Sequence, residues 1–203
     1  MFKNLTFAAV AVAGIFVGFE SASAAMVGMP MGLKSALQYI RFETPTLPPM
    51  AYSQFCVRYQ DECRSRPMFR GGPVRLTAER WAALKEVNRN VNQDIIPERN
   101  ERGLAGETWL IGPDRGDCND YAVTKRHELM ERGWPARALL LSEVVTNSGE
   151  HHLVLVVRTK TGDLVLDNLT PQIKPWSRAP YRWVRIQSPN STKLWATIGG
   201  RSV

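Results

Sequence analysis

At Gly133-Trp134-Pro135 the hydrophobic pattern of this chain changes period. Upstream, apolar side chains recur at helical spacing: Trp81, Leu84, Val87, Val91 and Ile95 in one segment, Tyr121, Ala122, Leu129 and Met130 in the next. Downstream they alternate. Residues 136–145, 152–159, 164–168 and 181–187 read as strands, and Thr161-Gly162-Asp163 is a turn that folds the second onto the third. Helices first and antiparallel strands afterwards predict an α+β domain, with a helical N-terminal half packed on a sheet.

The helix ends are marked. Thr77 caps a helix that runs to about Asp94, with Pro97 beyond its end. Asn88, Asn90 and Asn92 on that helix are weak helix formers whose side chains suit holding loops. The second helix begins at Cys118. Asp117 is its N-cap, and Asp120 makes a capping box with a shorter acid. Gly133 stops it. Lys125, Arg126 and Arg132 toward its end suit the helix dipole.

Residues 1–24 read as a secretory signal outside the fold. Lys3 gives a basic start, residues 5–17 an apolar run and Ala22-Ser23-Ala24 a cleavage site. The alternative is an uncleaved N-terminal anchor. Residues 25–70 form an arm plus the Cys56/Cys63 segment. Thr44-Pro45-Thr46-Leu47-Pro48-Pro49 runs extended there. Residues 71–203 are one catalytic-size domain. The mature chain has no membrane-spanning run, so the expected location is the periplasm or the exterior. The net charge of +7 is scattered rather than clustered, and export excludes nucleic acid as a physiological partner.

An odd cysteine count in an oxidising compartment points to one disulfide and one free thiol. Cys56 and Cys63 are the natural pair. On one unbroken helix they stand about 10 Å apart along the axis, too far to bridge. Either the chain turns between them, near Gln60-Asp61, or both are buried thiols.

That leaves Cys118. A thiol in the first turn of a helix faces unpaired N–H groups and the positive dipole end, which favour thiolate and can hold an oxyanion. His152 begins a strand and shares a face with Val154 and Val156. Asp167 ends the returning hairpin strand, close enough to hold the His152 ring by Nδ1–H and turn Nε2 toward the thiol. His151 is a rival base pointing to the opposite face. His127 lies more than two turns along the helix from the thiol and takes a surface role. Trp109 either lines the cleft and donates its indole N–H to the oxyanion, or belongs to the core.

The stretch Gly116-Asp117-Cys118-x-Asp120-Tyr121-Ala122 carries a resemblance, together with Val87-Asn88, Val91-Asn92, Trp109, Gly133-Trp134-Pro135, His152-x-Val154-Leu155 and Leu166-Asp167. In these residues the chain resembles the bacterial transglutaminase-like cysteine proteinases, a family with LapG-type periplasmic proteases among its members. The resemblance implies a papain- or transglutaminase-like core with Cys118 as nucleophile, His152 as base and Asp167 as its orienter. It implies a protein substrate such as a surface adhesin, and control by an inner-membrane receptor. It also implies calcium beside the nucleophile, although the thiol chemistry itself requires no cofactor. Asp117 matches a calcium position, Asn119 stands where an acid is common, and Asp120 is a further ligand candidate. Otherwise the two acids merely cap the helix.

The triad serves hydrolysis of a peptide bond or acyl transfer to an amine equally well. A non-enzymatic periplasmic binding protein on the same fold is the third class, and it has no need of all three residues.

Overall fold

The computed structural model describes residues 39–64, 72–101, 103 and 106–199. The signal segment and residues 25–38 of the arm lie outside them. From its first described residues the chain passes through strand β1 (Arg41–Thr46) into helix α1 (Met50–Arg58) and the single turn α2 (Gln60–Cys63). Helix α3 (Ala78–Asp94), the two-residue strands β2 (Ile96–Pro97) and β3 (Arg115–Gly116), and helix α4 (Cys118–Glu131) follow. The rest is strand: β4 (Leu139–Val145), β5 (His151–Thr159), β6 (Gly162–Leu166), β7 (Lys174–Pro175), β8 (Arg182–Ser188) and β9 (Ser191–Gly199).

Seven of these strands form one antiparallel sheet in the order β1-β9-β8-β4-β5-β6-β7, while β2 and β3 pair in parallel apart from it. Successive side chains point to opposite faces of a strand, and both faces here are buried. Leu139, Leu141, Leu153, Leu155, Val157 and Leu166 face the helices and join Leu84, Val87, Val91, Val123 and Leu129 in one core. Leu140, Val144, Val154, Val156, Val165 and Ile186 face the other way, under Trp176, with Tyr181 and Trp183 packed alongside. Burial on both sides explains why β4 to β6 read as nearly continuous apolar runs.

Both long helices start where their caps stand. The Thr77 side chain accepts from the Arg80 N–H, and Gly133, at φ +79°, carries the left-handed turn that closes α4. The strand boundaries differ from expectation in two places. Residues 136–138 form a 3-10 turn, in which the Ala138 N–H bonds the Pro135 carbonyl. Strand β6 stops at Leu166, which leaves Asp167 and Asn168 outside the ladder. Besides the two-residue strands β2, β3 and β7, two longer strands escaped the pattern reading. β9 is irregularly buried, so it shows no clean alternation. β1 contains Pro45, which is tolerated because β1 is an edge strand with a register shift between Phe42 and Pro45.

Helix α1 breaks at Tyr59, and the turn brings Cys56 and Cys63 to a Cα–Cα separation of 5.5 Å, joined as a disulfide. The bridged turn delivers Glu62 into the interior. Its Oε2 accepts from Arg126 Nη1 at 2.6 Å and its Oε1 lies 2.7 Å from His127 Nδ1. Arg126 also donates Nε–H to the Leu139 carbonyl. The disulfide segment, the helix that starts at Cys118 and strand β4 are thus pinned together by one buried guanidinium. No described helix is long and apolar enough to cross a membrane.

Candidate active site

Cys118 is the first residue of α4, and the chain before it is shaped by Asp120. Asp120 Oδ2 accepts from the Asp117 N–H at 2.9 Å, and Oδ1 accepts from the Leu110 N–H at 2.7 Å. One carboxylate therefore ties the helix start to the loop that approaches it. Asp117 Oδ1 in turn accepts from the Asn119 N–H at 2.9 Å. Gly116 is required for this packing, because a Cβ there would lie 2.3 Å from Asp120 Oδ2. The Cys118 N–H is not among the amides used in capping.

His152 and Asp167 come together at the sheet end nearest this helix start. His152 Nε2 lies 2.9 Å from Asp167 Oδ1, with the two side chains 5% and 2% exposed. Because β6 ends at Leu166, Asp167 turns back over the strand end, where its Oδ1 also accepts from the Leu169 N–H at 3.0 Å. Burial alone raises a carboxyl pKa. Here the bonds from His152, Tyr181 and Leu169 outweigh it and hold Asp167 below the usual carboxylate range. The ring sense differs from expectation: Asp167 holds Nε2, not Nδ1, so Nδ1 is the nitrogen left for a second partner.

The sulfur meets β5 one residue further on. Helix α4 packs on the face of Leu153, the residue after His152. The Leu153 main-chain N–H donates to the Cys118 sulfur. Among the described residues no hydrogen bond joins the sulfur to the imidazole directly.

The thiol's electrostatics also differ from expectation. Burial pushes the Cys118 thiol up to about 12, and Asp117, Glu107 and Asp120 push in the same direction, with the Leu153 N–H opposing. Desolvation is the largest cause, and the three acids add like-charge repulsion to it.

The sequence profile of the bacterial transglutaminase-like cysteine proteinases matches residues 42–203. The chain belongs to that family. By family it is a cysteine peptidase, and the mixed helix and antiparallel-sheet architecture is transglutaminase-like. Among solved structures it is similar to calcium-bound LapG of Legionella pneumophila, at 26% identity and a TM-score of 0.50, covering 61% of this chain and 73% of that one. A second Legionella pneumophila LapG structure matches at 25% identity and a TM-score of 0.48, covering 57% of this chain and 66% of that one. An EGTA-treated form matches at 25% and 0.49, covering 61% and 69%. No curated protein sequence matches the chain.

Within this proteinase, Trp109 takes the core alternative. It is 2% exposed, packs against Tyr52 and Phe55, and donates its indole N–H to Glu107 Oε1 at 2.9 Å. The indole is thereby committed, which removes Trp109 from the oxyanion role. Glu107, which the sequence reading passed over, also accepts from the Asn119 carboxamide. No spacing rule singles it out, because it reaches the helix start across a loop.

Of the three calcium candidates, Asp120 is the poorest, since backbone amides take both its oxygens. The Asp117 side chain accepts from the helix-start amides as part of the capping box, the Asn119 carboxamide oxygen lies beside it, and Glu107 adjoins them. These are hard oxygen donors of the kind calcium takes. Among the described residues, however, no group of three or more His, Cys, Asp or Glu side chains is arranged to hold a metal.

Around Asp167 the family's asparagines act as loop holders. Asn92 Nδ2 donates to the Asp167 carbonyl at 2.9 Å and Asn88 Nδ2 to the Pro171 carbonyl at 3.2 Å. Lys125, 1% exposed on α4, has Asp167 as its attractive charged neighbour, and burial lowers its pKa to about 7. Tyr181, missed in the sequence because it lies just before a strand, donates its hydroxyl to Asp167 Oδ2. His151 is exposed and its Nδ1 lies 2.6 Å from Glu143 Oε1, which takes it away from the base role.

Proposed function

We propose that this chain is an exported thiol peptidase that cuts a periplasmic or cell-surface protein with Cys118 as nucleophile, His152 as base and Asp167 as orienter. The buried 2.9 Å pair of His152 Nε2 and Asp167 Oδ1, beside a helix-start cysteine whose sulfur bonds the next amide of the same strand, carries this reading. An imidazole held by a carboxylate at one nitrogen is fixed in the tautomer that presents the other as a proton acceptor.

In this mechanism the Cys118 proton passes to His152 Nδ1, and Asp167 stabilises the imidazolium through Nε2–H. The thiolate attacks the scissile carbonyl, and the oxyanion takes the Cys118 N–H. The imidazolium then protonates the leaving amine and a thioester remains. Water gives one proton to the imidazole, its oxygen attacks the thioester, and the acid leaves as the thiol re-forms.

A thiol held near 12 is a poor nucleophile at neutral pH, so transfer to His152 has to be helped. Asp117, Asn119 and Glu107 are the residues that would hold a calcium ion here, and its divalent charge would offset the carboxylates that keep the proton on sulfur. That a similar LapG structure is calcium-bound supports calcium as a ligand of this chain, and the residues named are this chain's own candidates. The adhesin substrate and the inner-membrane receptor come to this chain from the family resemblance alone.

The test uses the surface and periplasmic proteins of a deletion strain. Purified mature enzyme should generate new protein termini, identified by mass spectrometry, and Cys118→Ala should generate none. Equal fragments from both proteins would end the thiol-peptidase reading. Addition of an amine to glutamine side chains in place of new termini would assign acyl transfer instead.

A further inference from the structure

Asp167 is held by more than the imidazole it serves. Its Oδ1 accepts from His152 Nε2 and from the Leu169 N–H. Its other oxygen, Oδ2, accepts from the Tyr181 hydroxyl. Tyr181 is also the one aromatic ring against the imidazole among the described residues, with centroids 5.7 Å apart and planes at 53°. It sits in the short 179–181 link between the 3-10 turn Trp176–Arg178 and β8. A bond from the Tyr181 N–H to the Ala179 carbonyl, at 2.9 Å, tightens that link.

We propose that Tyr181 is a positioning residue of the peptidase, fixing the orientation of Asp167 with its hydroxyl and the tilt of the His152 ring with its aromatic face. This rests on the thiol-peptidase reading above.

The physical argument is one of degrees of freedom. A carboxylate bonded through one oxygen can rotate about χ2, and an imidazole bonded through one nitrogen can pivot about that bond. With Oδ1 shared by a ring N–H and a main-chain N–H, and Oδ2 held by a phenol, Asp167 has no rotation left that keeps its bonds. The phenol side chain also closes one flank of the imidazole, so the ring cannot swing that way from the plane in which Nδ1 is available. Hydrogen bonds to an ionised acceptor are the strong ones, which makes the Tyr181 contact a substantial restraint. The bond helps keep Asp167 ionised, and burial together with that bond raises the Tyr181 phenol far above its ordinary value, so the donor stays protonated through the working range.

The groups facing Asp167 are His152 from β5, Tyr181 from the link before β8, Lys125 from α4 and the Leu169 amide from the loop after β6. Lys125 acts through charge at a distance and does not replace the phenol's directed bond. Tyr181 also lines two neighbouring cavities, of about 330 and 560 Å³, which share Thr146, Asn147, Ala179 and Pro180 as walls. Removing only its hydroxyl leaves those walls in place.

The experiment compares wild type with Tyr181→Phe and Tyr181→Leu on the protein fragments the wild type releases. Tyr181→Phe should lower kcat about tenfold, the size of one hydrogen bond to a charged group, and leave KM within about twofold. Tyr181→Leu, which also loses the ring face, should lower kcat further. A second readout is independent of activity. The His152 Nε2–H proton, hydrogen-bonded to a carboxylate and 95% shielded from solvent, should give a resolved downfield resonance in the folded protein. In Tyr181→Phe that resonance should move upfield and exchange faster with water. Wild-type kcat in Tyr181→Phe, or a fall that merely tracks a lower thermal midpoint with the resonance unmoved, overturns the proposal. Absence of any Cys118-dependent cleavage by wild type instead sinks the peptidase reading. The resonance then still decides whether Tyr181 orders the pair.

Discussion

Asp167 touches His152 at Nε2, 2.9 Å from its Oδ1, while the carbonyl of the same aspartate is held by Asn92 of α3. The helix thus fixes the backbone of the residue whose side chain aims the imidazole. Replacing Asp167 with alanine should lower kcat about a hundredfold. Asp167→Asn keeps an acceptor for Nε2–H but loses the charge, so it should lose less, about tenfold. In both, KM should move by less than kcat. Steady-state kinetics on a released protein fragment decide this, and a pure KM effect removes Asp167 from the mechanism.

Cys118→Ala should abolish cleavage without unfolding the protein. The residue is only partly buried and its sulfur takes a single amide, so the thermal midpoint should stay within a few degrees. Residual turnover in a pure sample of this variant would exclude thiolate attack.

Glu107→Gln should make Cys118 more reactive. The Glu107 carboxylate is one of the groups that push the thiol up, whereas a glutamine still accepts from Trp109 and Asn119. Alkylation by iodoacetamide at pH 8 should speed up severalfold, on the order of a fraction of a pKa unit. Calcium added to wild type should act in the same direction, and EGTA should reverse it. An unchanged alkylation rate in Glu107→Gln would remove Glu107 from the groups that raise the thiol.

Lys125 predicts a pH signature of stability. Its folded pKa is about 7 against an ordinary 10.5, mainly through burial. Between those values the unfolded chain holds a proton that the folded one has released, so stability should rise with pH across that window. Below pH 7 both states are protonated and the cost of the buried ammonium is fully felt. Lys125→Met should flatten the rise and stabilise the protein at low pH, by on the order of a few kcal/mol. Urea unfolding at pH 6, 8 and 10 measures it, and parallel curves for the two proteins would refute it.

The Cys56–Cys63 bridge closes a short loop, so its loss should cost about 2.5 kcal/mol. A Cys56→Ser/Cys63→Ser protein should unfold at a lower temperature by several degrees. Because the same turn carries Glu62, Glu62→Ala should cost more, about 3–5 kcal/mol, by stranding the Arg126 guanidinium in the core. Chemical denaturation of the two variants ranks them, and a smaller loss in Glu62→Ala would refute the clamp.

Much of the architecture was readable from local signals. Thr77, Asp117, Asp120 and Gly133 mark the helix ends because caps are short-range chemistry. β4, β5 and β8 showed as apolar runs within a residue or three of their bounds. Long-range relations were not readable. Nothing local tells which ring nitrogen Asp167 takes, since that depends on where β6 ends relative to β5. Glu107, Lys125 and Tyr181 enter the site from three separate segments, each with an unremarkable sequence around it. Two of the acids that raise the thiol, Asp117 and Asp120, stand beside Cys118 in the sequence, while Glu107 and the burial of the sulfur appear only when loop, helix and strand are assembled.

The register of β1 against β9 joins Arg41 to Gly199 and Thr46 to Trp195. The earliest strand of the described chain therefore has its only sheet neighbour in the last one. During synthesis, β1 must wait with an unsatisfied edge until β9 has emerged. A frameshift or nonsense change that removed the final strand would strip away the N-terminal one as well, leaving β8 as a naked border and exposing the nucleophile's scaffold to aggregation long before any chemistry was at stake.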